Sequence, residues 1–445
     1  MSNLHSLLVI SLLTVVVFDH LVSKNGRTKS ADELKDIGVG GFFSKIWRGF
    51  SFNSNRWMLI GGRRHVKIHS SNSIVVFGPT RCGKTTYVLV PILCDFDGSA
   101  VVTSVKNDVY LKSCTTRGLK TKVLAISEYA GDQSWCWDPV DYAKNVPEAR
   151  EVAHHMVISS GEYRNSSGDS KFWYRLAEPL LAGVLLASST TETIEERKAL
   201  CSFDDIDLLF NRLDFVGADD LSQSILAVLR NDERHASSVL ITAQSVLNPH
   251  LQALELFKDA SFKLDLNQIL RSRWTQPFTL YLIASLSTQS RLAPYFGTIV
   301  SLVGATLMKE EYRTSNVLFA LDELANVAPV SDLMKFASAG LAFGLQMVSV
   351  FQDFSQTRNI YGDSAGTVIN NHGSKIFFGG ISDPSTLELF RSVLSSTEQA
   401  DSNRRLEISH IRRGEAVICE PFTPPSKVRL ERRSSLKLRK KFTFG

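Results

Sequence analysis

Short apolar runs of strand type recur along most of the chain, separated by segments of helical spacing. They occupy residues 73–77, 100–103, 122–126, 278–284, 317–321, 345–351 and 375–378, with a further candidate at 416–419. Continuous runs of this length suit strands buried on both faces. Their alternation with helical segments, including a long one over 291–309, predicts a mainly parallel sheet and an α/β architecture. Between residues 147 and 270 the texture changes to helical spacing with few turn signals. Phe172, Leu176, Leu180, Gly183 and Val184 fall on one helical face there, so an all-α domain is expected to interrupt the α/β part. A third texture opens the chain. Residues 7–18 are apolar apart from Ser11 and Thr14. That is short of the ~20 residues a spanning helix needs, but Lys24, Arg27 and Lys29 follow it. Positive charge on that side predicts a single membrane anchor with the bulk of the chain in the cytoplasm.

The expected organisation is a membrane anchor at 1–24 and a linker at 25–55. The first part of a nucleotide-binding domain follows at 56–146, the all-α domain at 147–270, the second part at 271–425, and a basic tail at 426–445. The middle of the helical segment is acidic. Glu192, Glu195, Glu196, Asp204, Asp205, Asp207, Asp214, Asp219 and Asp220 outnumber Arg197, Lys198 and Arg212. Two readings stay open: a solvated helical face, or a docking surface for a basic partner. Composition adds little that is specific. The 445 residues are 44% hydrophobic and 21% charged, which is globular, and the net charge of +5 permits nucleic-acid contact without requiring it. None of the six cysteines is paired as CxxC or CxxH, which argues against a zinc site or a disulfide framework.

The chemistry is concentrated in two segments. Gly78, Pro79, Thr80, Arg81, Cys82, Gly83, Lys84 and Thr85, with Thr86 after them, fit the P-loop pattern G-x-x-x-x-G-K-[ST] between a strand and a helix. Glycines let the backbone turn so that successive N–H groups face one anion. Lys84 would reach the β- and γ-phosphates, and the Thr85 hydroxyl would ligate Mg²⁺. The run 317–321 delivers Asp322 and Glu323 at its carboxyl end, where open α/β sheets bind ligands. Asp322 would hold Mg²⁺, and Glu323 would orient and deprotonate the attacking water. ATP and Mg²⁺ are therefore the expected cofactors. Gln352 ends another buried run, placed to sense the γ-phosphate.

These residues carry a family resemblance. The segments GPTRCGKTT at 78–86, VVTSVKNDV at 101–109, WDPV at 137–140, FALDELANV at 319–327, VFQDFSQTRNIYG at 350–362 and INNHGSKIFFGG at 369–380 resemble, in order and context, the TraG/TraD coupling ATPases of type IV secretion and conjugation. The resemblance implies a RecA-like P-loop NTPase interrupted by an all-α domain and anchored at the inner membrane. It implies a homo-hexameric ring that passes single-stranded DNA, bound to its relaxase within the relaxosome, to components of the secretion channel. It assigns nucleotide chemistry to Lys84, Asp322, Glu323 and Gln352. The chain also departs from the family. Members commonly have two membrane helices where this chain has at most one run. Cys82 stands where serine is common. Leu341 stands where members place an arginine that acts on the neighbouring protomer; Arg358 is the nearest basic alternative in that segment. Two rival functions follow: an FtsK-like double-stranded DNA translocase, disfavoured because the tail is too short for a winged-helix reader, and a nucleotide-gated cargo adaptor with little sustained hydrolysis.

Overall fold

The computed structural model describes strands at 57–59 and 66–68 and residues 73–430, apart from 166–167, 192–193, 204, 231, 310–315, 329, 396–407 and 409–410. The apolar run at 7–18, the linker and most of the basic tail lie outside the described residues. Among the described residues no helix is long and apolar enough to cross a membrane.

Two short strands, β1 (Trp57–Leu59) and β2 (Val66–Ile68), pair antiparallel ahead of the main sheet. The sheet itself uses β3 (Ile74–Phe77), β4 (Ser99–Ser104) and β5 (Lys122–Ser127) from the first half of the chain. A small separate pair, β6 (Trp135–Cys136) with β7 (Phe262–Lys263), runs parallel. From the second half come β8 (Phe278–Ile283), β9 (Val317–Leu321), β10 (Leu345–Phe351), β11 (Ser374–Phe378), β12 (Glu415–Cys419) and β13 (Ser426–Arg429). The nine strands lie in the order β13-β12-β11-β3-β10-β9-β4-β8-β5. All neighbours from β11 to β5 are parallel, while β12 and β13 return antiparallel at one edge. This is the mainly parallel α/β sheet expected. Every residue of β3, β4, β8 and β9 is buried, which explains apolar runs without alternation.

Three expectations shift. Residues 426–429, assigned to the tail, form the edge strand β13 paired with β12. Its alternating Ser, Lys, Val and Arg gave no apolar run because an edge strand is covered on few sides. The segment 147–270 is largely helical, through Val146–Ser159, Gly168–Ser188, Ile194–Ser202, Ile206–Phe215, Asp219–Leu229 and Glu233–Leu256. It also contains β7, and its core is continuous with that of the sheet, through the helix Gln289–Leu307. Phe172 is 54% exposed despite its helical spacing, whereas Leu180 and Val184 of the same face are buried as expected, with Tyr174, Ala177 and Leu181 beside them.

Part of the acidic run serves its own helices. Asp205 accepts the Leu208 N–H at 2.8 Å as an N-cap, and Asp207, Asp219 and Asp220 sit in first helical turns, where negative charge is favoured. Arg197 clamps Asp138 with two bonds of 2.7 and 2.6 Å, while Asp138 caps the Val140 N–H at 3.0 Å. The WDPV segment thereby staples the helical part to the sheet.

Two buried histidines repeat one arrangement. In His250, Nδ1 faces the Val246 carbonyl at 3.1 Å and Nε2 the Thr298 hydroxyl at 3.0 Å. In His372, Nδ1 faces Val368 O at 2.8 Å and Nε2 the Ser349 hydroxyl at 2.9 Å. Burial lowers both from the usual 6.5 to about 4. A depressed histidine contributes stability that is full above 6.5 and is lost as pH falls through 6.5 toward 4, because the unfolded chain then binds more protons. By pH 5 the loss is roughly 2 kcal/mol per residue. The melting temperature should therefore drop between pH 7 and pH 5, and less steeply in the double variant His250→Gln, His372→Gln. Equal slopes in both proteins would remove the histidines as the cause.

Candidate phosphate-binding site

The loop after β3 is shaped by positions that admit no side chain. A Cβ on Gly78 would lie 2.7 Å from Cys82 Sγ and 2.8 Å from Phe378 Cβ. Gly83 has φ +106, and a Cβ there would meet the Tyr87 ring at 2.2 Å. Arg81 adopts a left-handed φ of 63 without being glycine, at a cost of about 1–2 kcal/mol. The Gly78 N–H donates to the Gln352 carbonyl at 3.2 Å, which ties the loop to the end of β10. A π-helical turn, Thr85–Leu89, then leads into the α-helix Val90–Asp95. Pro91 sits just after that turn and, having no N–H to donate back to it, suits the point where the helical register changes.

The two sequence segments meet across the sheet. The Lys84 amine donates to the carbonyls of Gly78 and, at 3.0 Å, of Pro79, so it lies across the loop. The Thr85 hydroxyl donates to Asp322 Oδ2 at 2.8 Å. Backbone bonds hold Asp322 from β4: its N–H donates to Thr103 O at 3.3 Å, and its carbonyl accepts the Thr103 hydroxyl at 3.0 Å. Asp322 Oδ1 is buried with no partner. Burial raises this carboxyl to about 6, with Glu323 adding to the rise and Thr85 opposing it. A buried carboxylate oxygen left unbonded beside a hydroxyl suits a small hard cation that prefers oxygen ligands. Glu323 follows in a left-handed conformation, φ 47 and ψ 42, a strained geometry of the kind found at working sites.

A cavity of about 630 Å³ opens over these groups, lined by Thr80 to Tyr87, Ser104 to Lys106, Asp108, Asp322, Glu323 and Arg413. It brings together most of the residues read from the sequence: Thr80, Arg81, Cys82, Gly83, Lys84, Thr85, Thr86, Asp322 and Glu323. Gly78 and Pro79 contribute through their carbonyls. Gln352 does not line it. It is half-buried, its N–H donating to Gln356 Oε1 at 3.1 Å, and it touches the loop through its carbonyl. Leu341 lies in the turn Gly340–Phe343 before β10, at the sheet edge opposite this cavity. Arg358 is exposed on the helix Phe354–Tyr361 and is absent from the lining. Sequence reasoning missed Ser104, Lys106, Asp108 and Arg413 as site residues. Ser104 ends β4 and Lys106 and Asp108 follow it, and their signal is position: β4 neighbours β9, so its carboxyl end must share the cavity. Arg413 lay in a segment with no motif.

A family model described as Type IV secretory system Conjugative DNA transfer matches residues 44–409. The conjugal transfer protein TraG of Escherichia coli is 21% identical over 378 residues, which is 77% of this chain and 56% of TraG. Protein VirD4 of Agrobacterium fabrum is 23% identical over 348 residues, 74% of this chain and 50% of VirD4. The chain thus spans about half the length of the curated relatives it matches. Among solved structures, the plasmid coupling protein TrwB in complex with ADP and Mg²⁺ superposes with a TM-score of 0.68 at 18% identity, covering 90% of this chain and 95% of that one. At that identity the likeness establishes a shared fold.

The buried Asp322 carboxylate carries a cost in the metal-free protein, at most roughly 3 kcal/mol. A raised carboxyl penalises the folded state at pH above its folded value, and the penalty fades as pH falls through 6 toward 4. In excess chelator, Asp322→Asn should raise the melting temperature at pH 7.5 by a few degrees, with the gain shrinking toward pH 4. A lower melting temperature for the variant at pH 7.5 would show that the bond to Thr85 outweighs the burial of charge.

Proposed function

The chain belongs to the type IV secretory system family of conjugative DNA transfer, and from that premise we propose that it is a coupling ATPase. In this reading it binds ATP with Mg²⁺ and recruits and moves a single-stranded DNA–relaxase substrate toward the secretion channel. The apolar run at 7–18 would anchor it in the inner membrane with its motor in the cytoplasm, as a homo-hexamer.

One observation carries the nucleotide reading: the 2.8 Å bond from Thr85 to Asp322, beside an unbonded carboxylate oxygen, on the floor of a cavity walled by the P-loop. Loop N–H groups and Lys84 bind and orient the β- and γ-phosphates. Thr85 and Asp322 would hold Mg²⁺, which supplies charge neutralisation on the phosphate oxygens when bound. Glu323 orients a water and accepts its proton. The ADP and Mg²⁺ bound to TrwB support the assignment, as does the likeness to the conjugal transfer protein TraG for the role in transfer.

Leu341 favours a second, slower mode of action. A cation contributed from a neighbouring protomer is worth ~10³–10⁵ in rate, and leucine offers only bulk. On this reading the ring turns over slowly, and nucleotide binding acts largely as a switch for cargo docking.

Lys84→Ala should weaken binding of ATP in the presence of Mg²⁺, and Glu323→Gln should keep binding while lowering hydrolysis by roughly 10²–10⁴. Nucleotide titration and phosphate release, with and without single-stranded DNA, measure both. Equal ATP affinity in wild type and Lys84→Ala would remove Lys84 from the site. In the same assay Leu341→Arg should raise DNA-stimulated turnover and Arg358→Ala should change it little. A fast wild-type enzyme crippled by Arg358→Ala would instead make Arg358 the trans cation.

A further inference from the structure

The cavity contains a cation that neither motif supplies. Arg413 precedes β12 in the chain and lines the same opening as Lys84 and Glu323. Its place is set by backbone contacts. A Cβ on Gly379 would lie 2.1 Å from the Ile411 carbonyl oxygen, so the end of β11 and the segment carrying Arg413 touch in a way only glycine allows. The adjacent Gly380, at φ +87, packs on Pro79 of the P-loop, with Pro79 Cγ 3.4 Å from where its Cβ would be. The turn is closed by the Arg412 N–H donating to Glu415 at 2.9 Å and the Leu430 N–H donating to Gly414 O at 2.7 Å. Among the described residues no carboxylate pairs with Arg413.

Strand order fixes the side from which it acts. Asp322 and Glu323 follow β9, beyond β10 from the P-loop strand β3. Arg413 comes from the β11–β12 side of β3. The acids mark the γ-phosphate end of a bound triphosphate, because Thr85 and Asp322 meet there. The opposite flank is then the nucleoside end. We propose that Arg413 is a nucleotide-binding residue acting within its own chain, its guanidinium paired with the α-phosphate, the phosphate next to the nucleoside. This rests on the nucleotide reading above. It is distinct from the missing arginine at Leu341, which would act on a neighbouring protomer and on the γ-phosphate.

The test is titration of the full chain with ATP and with ADP, each with Mg²⁺. Both ligands carry the α-phosphate, so Arg413→Ala should weaken both by a similar factor, about tenfold for one charge-assisted contact at an open site. Arg413→Lys should recover part of each loss, since a point charge still attracts the phosphate. Arg413 is exposed, and an unchanged melting temperature checks that the fold is intact. Three outcomes overturn the proposal: no change with either ligand, a loss confined to ATP, or a lysine variant as weak as the alanine one, which would indicate stacking on the base. A wild-type chain that binds neither ligand would overturn the nucleotide reading as well. Wild-type binding with an unaffected Arg413→Ala overturns only the role of Arg413.

Discussion

The hydrogen bond from Thr85 to Asp322 joins residues 237 apart in sequence, and the remaining architecture serves to make it possible. Two strands must end at one level with their carboxyl ends on one edge of the sheet. Parallel pairing secures this: Phe77 of β3 is level with Phe351 of β10, and Ser349 of β10 with Leu321 of β9. The strand between them, β10, separates the P-loop from the acids and leaves room for a phosphate chain above its tip. Fully buried β9 fixes Asp322 from below, and the bonds from Thr103 on β4 fix it from the side. A carboxylate held so rigidly and left half-satisfied is disfavoured in isolation. Its retention makes chemical sense where a cation completes it.

The helical segment is joined to this edge rather than appended to it. The helix Phe354–Tyr361, which follows β10, packs beside the helix Gly161–Asn165. Burial of Arg164 near Tyr361 lowers the guanidinium, and the Tyr361 phenol is raised by burial. Ser331, a few residues past Glu323, donates to the Ile158 carbonyl. A change at the tip of β9 or β10 therefore has direct packing routes into the helices. Those contacts link the helical part to the strand tips that carry the cavity.

The sequence by itself determined the buried strands of the sheet, the P-loop and the two acids, because each is a local signal. A short apolar run without alternation, bounded by turn signals, suits a strand covered on both faces, and Gly78 and Gly83 sit where any Cβ collides. It could not determine what non-local contacts decide. The edge strand β13 has no apolar pattern and exists because β12 offers it a partner. Phe172 has helical spacing but faces out, since which face of a helix is buried depends on its neighbours. The place of Gln352 at a strand tip suggests a sensor, yet it is its carbonyl that meets the loop. Arg413 reaches the cavity because Gly379 lets a distant backbone approach within contact distance, and nothing in the local sequence around Arg413 encodes that approach. Local sequence fixes conformation where sterics and burial act within a few residues; tertiary structure alone decides which remote backbones come close enough to share a site.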